Sequence, residues 1–291
     1  MKFSILAFAA LALAGDAPFV AAGDRVVDAK VHQQRARLRL DPGAPSMPVF
    51  NPDFASRAGF RSGFIGTMAV VGPVRVHGQS AVIRLDLGDG EFKRRVTWFA
   101  APFTQGADGI VGPGALPASR VRFDLHPAQP GERSATLPLA DFGAAGMGVR
   151  IPAGERTIDV YFTLESARSL ATAVAGAAIA GGHGGKFDRE PEKMDIQLGV
   201  VRPVRHLALA TPFAVGPLAL SEMMVRTGDF GSAGAIPDAN APVPDPDEIV
   251  VTGEKKQKPR RVKLAIGSDD LARCSSILFD KPAKTVTLSC R

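Results

Sequence analysis

A short strand-turn pattern that occurs once in each half of the sequence constrains the fold more than any other feature. The first copy, from Leu38 to Ser46, reads LRLDPGAPS, and the second, from Val160 to Ser169, reads VYFTLESARS. Small residues and then β-rich sequence follow each copy. Later come two apolar residues and a glycine, at 110–112 in the first half and at 265–267 in the second. The repeat predicts two structurally related halves.

Composition and length favour an all-β fold built as two lobes. Among the 291 residues, 31 Gly and 23 Pro separate short runs of Val, Ile, Phe and Leu, a pattern typical of β-sheet proteins with many turns. The chain is long enough for two lobes that each bury a core. We expect an N-terminal lobe at 23–145, a C-terminal lobe at 146–291, and the link between them within 126–150.

The duplicated motif resembles the active-site motifs of the pepsin-like and retropepsin-like aspartic proteases. Asp41 matches the first catalytic aspartate of that family, and Gly43 matches the glycine that lets the backbone turn. The resemblance covers most of the chain and implies an all-β, bilobal fold of two barrel-like lobes. It also implies two carboxyl groups that face each other across the cleft and share one proton, so that one serves as base and the other as acid.

The second copy of the motif departs from the family pattern. Thr163 stands where the second Asp is expected and Glu165 where Gly is expected, while Pro42 replaces a Thr or Ser in the first copy. A threonine hydroxyl does not titrate near neutral pH and cannot act as the second acid. Neither Asp159 nor Glu165 is placed to fill the gap. Without a carboxylate neighbour, Asp41 is expected to lack the like-charge effect that raises a pKa.

Three functions are consistent with this pattern. The first is a protein that has lost peptidase chemistry but still binds an extended peptide, or a similar ligand, between the lobes. The second is a working aspartic endopeptidase that uses Asp41 with an unrecognised partner. The third is an interaction protein that acts through a segment at 228–260. Whether the protein is an enzyme stays open at this point.

The N-terminus has the features of a secretory signal peptide at 1–22. Lys2 precedes a short apolar run, and small residues follow. Ala14 and Ala22 both end plausible cleavage sites, and cleavage after Ala22 is the one we expect. The apolar run is too short to span a bilayer, which predicts a periplasmic or secreted protein without an integral membrane anchor.

The remaining composition argues against several classes of site. The formal net charge is +6, and the basic residues are dispersed apart from a cluster at 255–261. Because no aromatic residues alternate with that cluster, nucleic-acid binding is not expected. The five histidines lack the spacing of metal ligands. We therefore expect no metal, no cofactor and a monomer.

The two cysteines predict one disulfide. Ser275–Phe279 and Thr285–Ser289 resemble the strands of a hairpin, and pairing Phe279 with Thr285 brings Cys274 opposite Cys290. In an oxidising compartment this arrangement favours a structural Cys274–Cys290 bond.

The segment at 228–260 is expected to be a mobile insertion, because Gly, Ala, Pro and Asp dominate its first part and basic residues end it. Within it, the run Asp247–Gly253 resembles the Ton box of outer-membrane receptors. Such a β-prone peptide could add a strand to a partner in the cell envelope. The residues that would make this contact are Glu248, Ile249, Val250, Val251 and Thr252.

Local patterns predict three further elements. The region 24–37 is typical of a single leading strand, and Ser169–Ala180 is typical of a helix of small apolar residues. The glycine-rich run Gly181–Lys186 is expected to be a mobile turn rather than a phosphate loop, since it lacks the Ser or Thr of a Walker motif.

Overall fold

A computed structural model describes residues 17–23, 25–229, 231–239 and 262–291. Strands make up 51% and helices 10% of the structure, which confirms the all-β prediction. The strands of the first half are β1 Phe19–Ala21, β2 Val26–Val31, β3 Gln34–Leu40, β4 Val49–Phe50, β5 Thr67–Val71, β6 Val74–Asp86, β7 Glu91–Phe99, β8 Gly109–Val111, β9 Arg120–Asp124 and β10 Arg133–Asp141.

The strands that follow are β11 Met147–Ala153, β12 Arg156–Phe162, β13 Leu170–Ala171, β14 Lys186–Phe187, β15 Glu192–Gln197, β16 Val200–Val215, β17 Leu218–Arg226, β18 Lys263–Ile266, β19 Cys274–Asp280 and β20 Thr285–Cys290. The helices are α1 Pro52–Arg57, α2 Ala173–His183 and α3 Ser268–Leu271, and a 3-10 turn spans Gly143–Ala145. Within the described ranges, no helix has the length and apolar composition that crossing a membrane requires.

Seven strands of the first half form one sheet, in the order β2-β3-β8-β4-β7-β6-β5. An additional pairing of β2 with β6 closes the first six of these strands into a barrel. Alternate residues of the strands point inward, so that Leu38, Leu85 and Val96 are fully buried in the core. Closure leaves β5 as the outermost strand, paired with β6 alone among the described residues.

A larger sheet of thirteen strands contains the second half. Its order is β1-β9-β19-β20-β10-β11-β12-β18-β13-β17-β16-β14, and β15 also pairs with β16. Three strands from earlier in the chain, β1, β9 and β10, therefore belong to this sheet. The core of the larger sheet is continuous with the core of the barrel, since one cluster of buried apolar side chains contains residues from both, Leu38 and Phe279 among them.

The two halves repeat the same order of strand pairing. In the first half, β3 runs parallel to β8, which pairs antiparallel with β4, and β4 runs parallel to β7. In the second half, β12, β18, β13 and β17 pair in that same order and with the same directions. A helix follows the short third strand in each case, α1 after β4 and α2 after β13. The repeated sequence motif thus corresponds to a repeated fold unit.

One predicted element of the first half is wrong. The leading strand expected at 24–37 is a hairpin, because His32 and Gln33 both adopt positive φ angles, 50° and 68°, and form a two-residue turn. Turns of this type usually carry Asn or Gly, so nothing in the local sequence signals this one. The link expected within 126–150 contains all of β10 and the start of β11. Pro138 lies within β10 and Gly148 within β11, so the proline and glycine content of this range does not exclude strands.

The helix expected at Ser169–Ala180 begins later, at Ala173, because Leu170 and Ala171 form β13 between β17 and β18. The helix then continues to His183. The glycine run that was expected to be a mobile turn therefore supplies the last turn of α2, and Gly184 ends the helix in the left-handed conformation.

Part of the expected insertion is packed against the second half. Phe187 exchanges backbone hydrogen bonds with Pro237 and Ala239, and Ala233 and Ile236 are 6% and 5% exposed within the main core. The prediction of a mobile segment is thus wrong for 231–239. Its apolar residues are few, but they are placed where the core can bury them. Residues 240–261 lie outside the described residues, and with them the predicted partner contacts at 248–252.

The predicted Cys274–Cys290 disulfide is confirmed. The predicted register is wrong by one residue, because Thr285 pairs with Asp280 rather than with Phe279. A bulge between Cys274 and Ser276 takes up the extra residue and returns the two cysteines to opposite positions.

Candidate active site

Asp41 and Thr163 occupy equivalent positions at the ends of matching strands. Leu40 pairs with Val111 at the end of β3, and Phe162 pairs with Ile266 at the end of β12. The next residue in each copy turns out of the strand in the same way. The backbone N–H of Asp41 donates to the carbonyl of Val111 at 3.1 Å, and that of Thr163 donates to the carbonyl of Ile266 at 2.9 Å.

The two motif copies meet at the carboxylate of Asp41. Its Oδ2 accepts hydrogen bonds from the backbone N–H of Leu164 at 2.6 Å and from the hydroxyl of Thr163 at 3.3 Å. Its Oδ1 accepts from the backbone N–H of Gly43 at 2.8 Å. The residue is only 2% exposed. Asp41 therefore links the turn of the first half to the turn of the second.

The turns are similar in form but differ in their donors. In both, the residue two positions on donates its N–H to the side chain: Gly43 to Asp41 at 2.8 Å, and Glu165 to the hydroxyl of Thr163 at 3.2 Å. The middle residue of the turn differs between the two copies. Leu164 donates across the seam to Asp41, whereas Pro42 has no N–H to return to position 163. A carboxylate at 163 would lack the backbone donor that Asp41 has.

Three glycines allow close approach around this seam. A Cβ on Gly43 would lie 2.5 Å from the carbonyl oxygen of Phe162, so only glycine lets the first turn contact the end of β12. Within each half, the glycine of the apolar triplet lies against its own turn. A Cβ on Gly112 would lie 2.4 Å from the carbonyl oxygen of Ala44, and one on Gly267 would lie 2.3 Å from that of Ala167.

Burial changes the acidity of Asp41. Desolvation raises its pKa from 3.8 to about 6, the negative charge of Glu165 adds to the rise, and the hydrogen bonds from Leu164, Gly43 and Thr163 oppose it. From the sequence we expected only that Asp41 would lack the like-charge effect of a partner acid; burial, with a smaller effect of the Glu165 charge, raises the pKa of Asp41 all the same. That expectation considered only the missing partner acid, and the sequence does not show how completely the seam excludes water.

Neither of the neighbouring acids bonds to Asp41. Asp159 pairs with Arg150 at 3.0 Å. Glu165 turns toward the first half, where it lies 3.2 Å from Arg39 Nε and accepts a hydrogen bond from Thr104 at 2.6 Å. Glu165 thus forms a second tie between the halves, at the position where the family pattern has glycine.

Near this seam, one hairpin of each half reaches toward the other half. Leu198, in the turn between β15 and β16, packs in a cluster of buried side chains with Ala44, Val49, Phe99 and Ile110 of the first half. Gly72, in the turn between β5 and β6, lies so close to Asp229 of the second half that a Cβ would be 2.1 Å from its Oδ2. Sequence reasoning missed both contacts, and the only local signal was a glycine in each turn.

Asp229 is itself held by two arginines. It is 5% exposed, it pairs with Arg226, and Arg202 Nε lies 3.6 Å away. Buried charge of this kind needs compensation, so this ion cluster fixes the surface that receives the β5–β6 turn.

Two cavities, of about 540 and 420 Å³, lie elsewhere on the barrel, and neither is lined by Asp41 or Thr163.

The other predicted site residues are not brought to the seam. Cys274 and Cys290 lie in the β19–β20 hairpin. Across the described ranges, no group of three or more His, Cys, Asp or Glu residues could hold a metal ion. Comparison of the chain with models of protein families and with curated proteins finds no match.

Proposed function

We propose that the protein is an exported, bilobal relative of the aspartic proteases that binds an extended peptide between its lobes and does not hydrolyse it. The observation that carries the proposal is the pairing of Asp41 with Thr163 at equivalent positions of the two repeated units. The repeated strand order supports the assignment of two lobes.

The chemistry at the seam favours binding over hydrolysis. Peptide hydrolysis by this class needs a base that takes a proton from water and an acid that donates to the carbonyl oxygen as it becomes negative, after which the departing nitrogen is protonated. Asp41 can hold or release one proton, but the Thr163 hydroxyl cannot supply the other role. The carboxylate already accepts three hydrogen bonds from its own chain. Its position therefore suits a structural link between the lobes.

Two free strand edges support an extended ligand. Among the described residues, β5 pairs only with β6 and β15 only with β16, so each of the two hairpins near the seam presents one unpaired edge. An extended peptide can add a strand to such an edge and place alternate side chains in pockets. The Cys274–Cys290 disulfide is consistent with an oxidising, extracytoplasmic location.

Binding and cleavage can be measured on the same samples. Overlapping ten-residue peptides that cover β-casein, an unfolded protein, would be labelled with fluorescein and titrated with the protein at pH 7, with anisotropy as the readout. We expect saturable binding of a subset of the peptides, unchanged peptide masses after prolonged incubation, and reduced hydrogen exchange in the complex at 67–71 and 192–197, the two strands with a free edge. Failure of every peptide to bind would overturn the proposal.

A peptidase that relies on Asp41 alone is the second candidate, and the raised pKa of Asp41 favours it. A carboxylate with a pKa of about 6 is a better general base near neutral pH than an ordinary aspartate. The test is cleavage of denatured casein between pH 3 and pH 8 by the wild type and by Asp41→Asn. Cleavage that is lost in the variant and blocked by a transition-state mimic of the aspartic class would establish this function instead.

A further inference from the structure

The turn between β15 and β16 carries a residue that the backbone does not favour. Leu198 has a φ of 56° and Gly199 a φ of 73°. Two-residue hairpin turns of this form favour Asn, Asp or Gly at the first position, because a bulky side chain is strained in the left-handed region. The leucine is nevertheless only 7% exposed at the tip of a hairpin. Burial of its side chain compensates for the strained backbone.

The partners of Leu198 belong to the first half, and one of them lies next to Asp41. Ala44 is one of them, and its N–H donates to the backbone carbonyl of Asp41 at 3.2 Å. Val49, Phe99 and Ile110 complete the buried part of this cluster, which is separate from the main core. Its partly buried margin is also apolar and consists of Ala69, Val76, Ala101 and Phe103. The surroundings are apolar and accommodate one branched aliphatic side chain.

We propose that this cluster is a binding subsite for an aliphatic side chain and that Leu198 is an internal plug that occupies it in the free protein. The inference rests on the proposed function, because it assigns the subsite to the peptide bound between the lobes. A peptide that inserts a Leu- or Ile-sized side chain displaces Leu198 and lifts the β15–β16 turn. The margin residues Ala69 and Val76 belong to β5 and β6, so the subsite lies against the hairpin whose free edge would pair with the peptide.

Competition by the plug lowers the measured affinity. When a binding-competent state is only partly populated, the apparent Kd increases by the inverse of the populated fraction. Removal of a leucine side chain from an apolar pocket is expected to shift such an equilibrium roughly ten- to hundredfold. The gain in affinity must depend on an aliphatic residue of the ligand, because the subsite offers nothing to a polar one.

The test uses Leu198→Asn, which removes the plug and gives the turn a residue that tolerates a positive φ. Val201→Asn is the matched control, since Val201 is 52% exposed on the same hairpin and outside the cluster. Both variants and the wild type are titrated with the β-casein peptides, and with copies of the tightest-binding peptide in which each aliphatic residue is replaced in turn by Ser. Leu198→Ala, which shortens the plug without changing its polarity, is measured beside them, and circular dichroism reports whether each variant is folded.

We expect Leu198→Asn to bind the peptide ten- to hundredfold more tightly than the wild type, with Leu198→Ala intermediate and Val201→Asn unchanged. The gain should vanish for one serine-substituted peptide. Equal affinity of the wild type and Leu198→Asn would overturn the plug and leave the proposed function intact. A gain that survives every serine substitution would also overturn it. If no peptide binds to any of the proteins, the proposed function fails and the plug with it.

Discussion

At the scale of single residues, one substitution pattern explains the chemistry of the seam. Thr163 stands where the aspartic-protease pattern has an acid, and Pro42 lacks the N–H that an acid at 163 would need. The two residues are compatible, because a threonine hydroxyl donates to Asp41 and requires no donor of its own from position 42. Both copies of the motif therefore suit a single acid at the seam.

Placing an acid at position 163 should destabilise the protein unless a backbone N–H donor is placed at position 42 as well. Thr163→Asp places a second negative charge beside the buried Asp41, and we expect it to lower the free energy of unfolding by roughly 1–3 kcal/mol at pH 7. This decrease in the free energy of unfolding should be smaller below pH 5, because one of the two carboxyl groups is then protonated. Pro42→Thr combined with Thr163→Asp should recover part of the lost stability. Chemical denaturation at pH 4 and pH 7 measures this, and equal stability of single and double variants would contradict the role given to Pro42.

Burial of Asp41 also makes stability depend on pH. Its pKa of about 6 in the folded protein exceeds the ordinary 3.8, so between these values the folded protein holds a proton that the unfolded chain releases. The contribution to stability is fully present below pH 3.8 and is lost as the pH rises through about 6. The two-unit shift corresponds to about 3 kcal/mol.

Asp41→Asn should remove this contribution. The difference in unfolding free energy between wild type and variant should fall by about 3 kcal/mol from pH 3.8 to pH 7, whatever constant offset the lost charge introduces. Urea unfolding at several pH values measures the difference. A difference that stays constant with pH would contradict the buried, proton-binding environment of Asp41.

At the scale of elements, the β5–β6 and β15–β16 hairpins provide contacts between the two halves. The β5–β6 turn depends on Gly72, which has a φ of 63° and lies against Asp229. Gly72→Ala should lose about 1 kcal/mol from the positive φ and more from the clash with the carboxylate. Gly154→Ala is the control, because Gly154 has a φ of 58° and nothing within 4 Å of its Cβ position.

Hydrogen exchange measures the effect on the hairpin. In Gly72→Ala the backbone N–H groups of 67–86 should exchange faster than in the wild type, whereas those of the control should be unchanged in this segment. Equal exchange in both variants would mean that the turn does not rest on the ion cluster of Asp229.

The same elements show what the sequence could reveal. Strong local signals were sufficient for the disulfide and for the two strands of its hairpin, since β-rich runs on either side of a turn mark them directly. The His32-Gln33 turn and the strand β13 carried no such signal, because both are set by long-range pairing. The position equivalent to Asp41 could be identified from the repeat. The burial of Asp41, the tie through Glu165 and the contact of Leu198 could not, because each joins residues that are distant in sequence.

At the scale of the whole molecule, the N-terminal strand β1 favours one of the two predicted signal-peptide cleavage sites over the other. Phe19–Ala21 forms β1 and runs parallel to β9, and Ala21 is 1% exposed in the main core. Cleavage after Ala22, the site favoured from the sequence, would remove this strand. Cleavage after Ala14 would keep it.

A chain that starts at Gly15 should therefore be more stable than one that starts at Gly23. Loss of β1 exposes the edge of β9 and the apolar surface under Phe19 and Ala21, which we expect to cost about 1–3 kcal/mol. Thermal unfolding of the two purified chains compares them, and, for the proposed export with a cleaved signal, N-terminal sequencing of the mature chain should find Gly15. Equal melting temperatures would contradict a structural role for β1.

The most direct test of the account is a titration of the Asp41 carboxyl carbon by NMR, with ¹³C-labelled aspartate and Asp41→Asn for assignment. A lone buried acid beside a hydroxyl should give one transition near pH 6. A curve in two steps, the signature of two coupled acids that share a proton, would show that another carboxyl faces Asp41 and would contradict the proposal that Asp41 is the single acid at the seam.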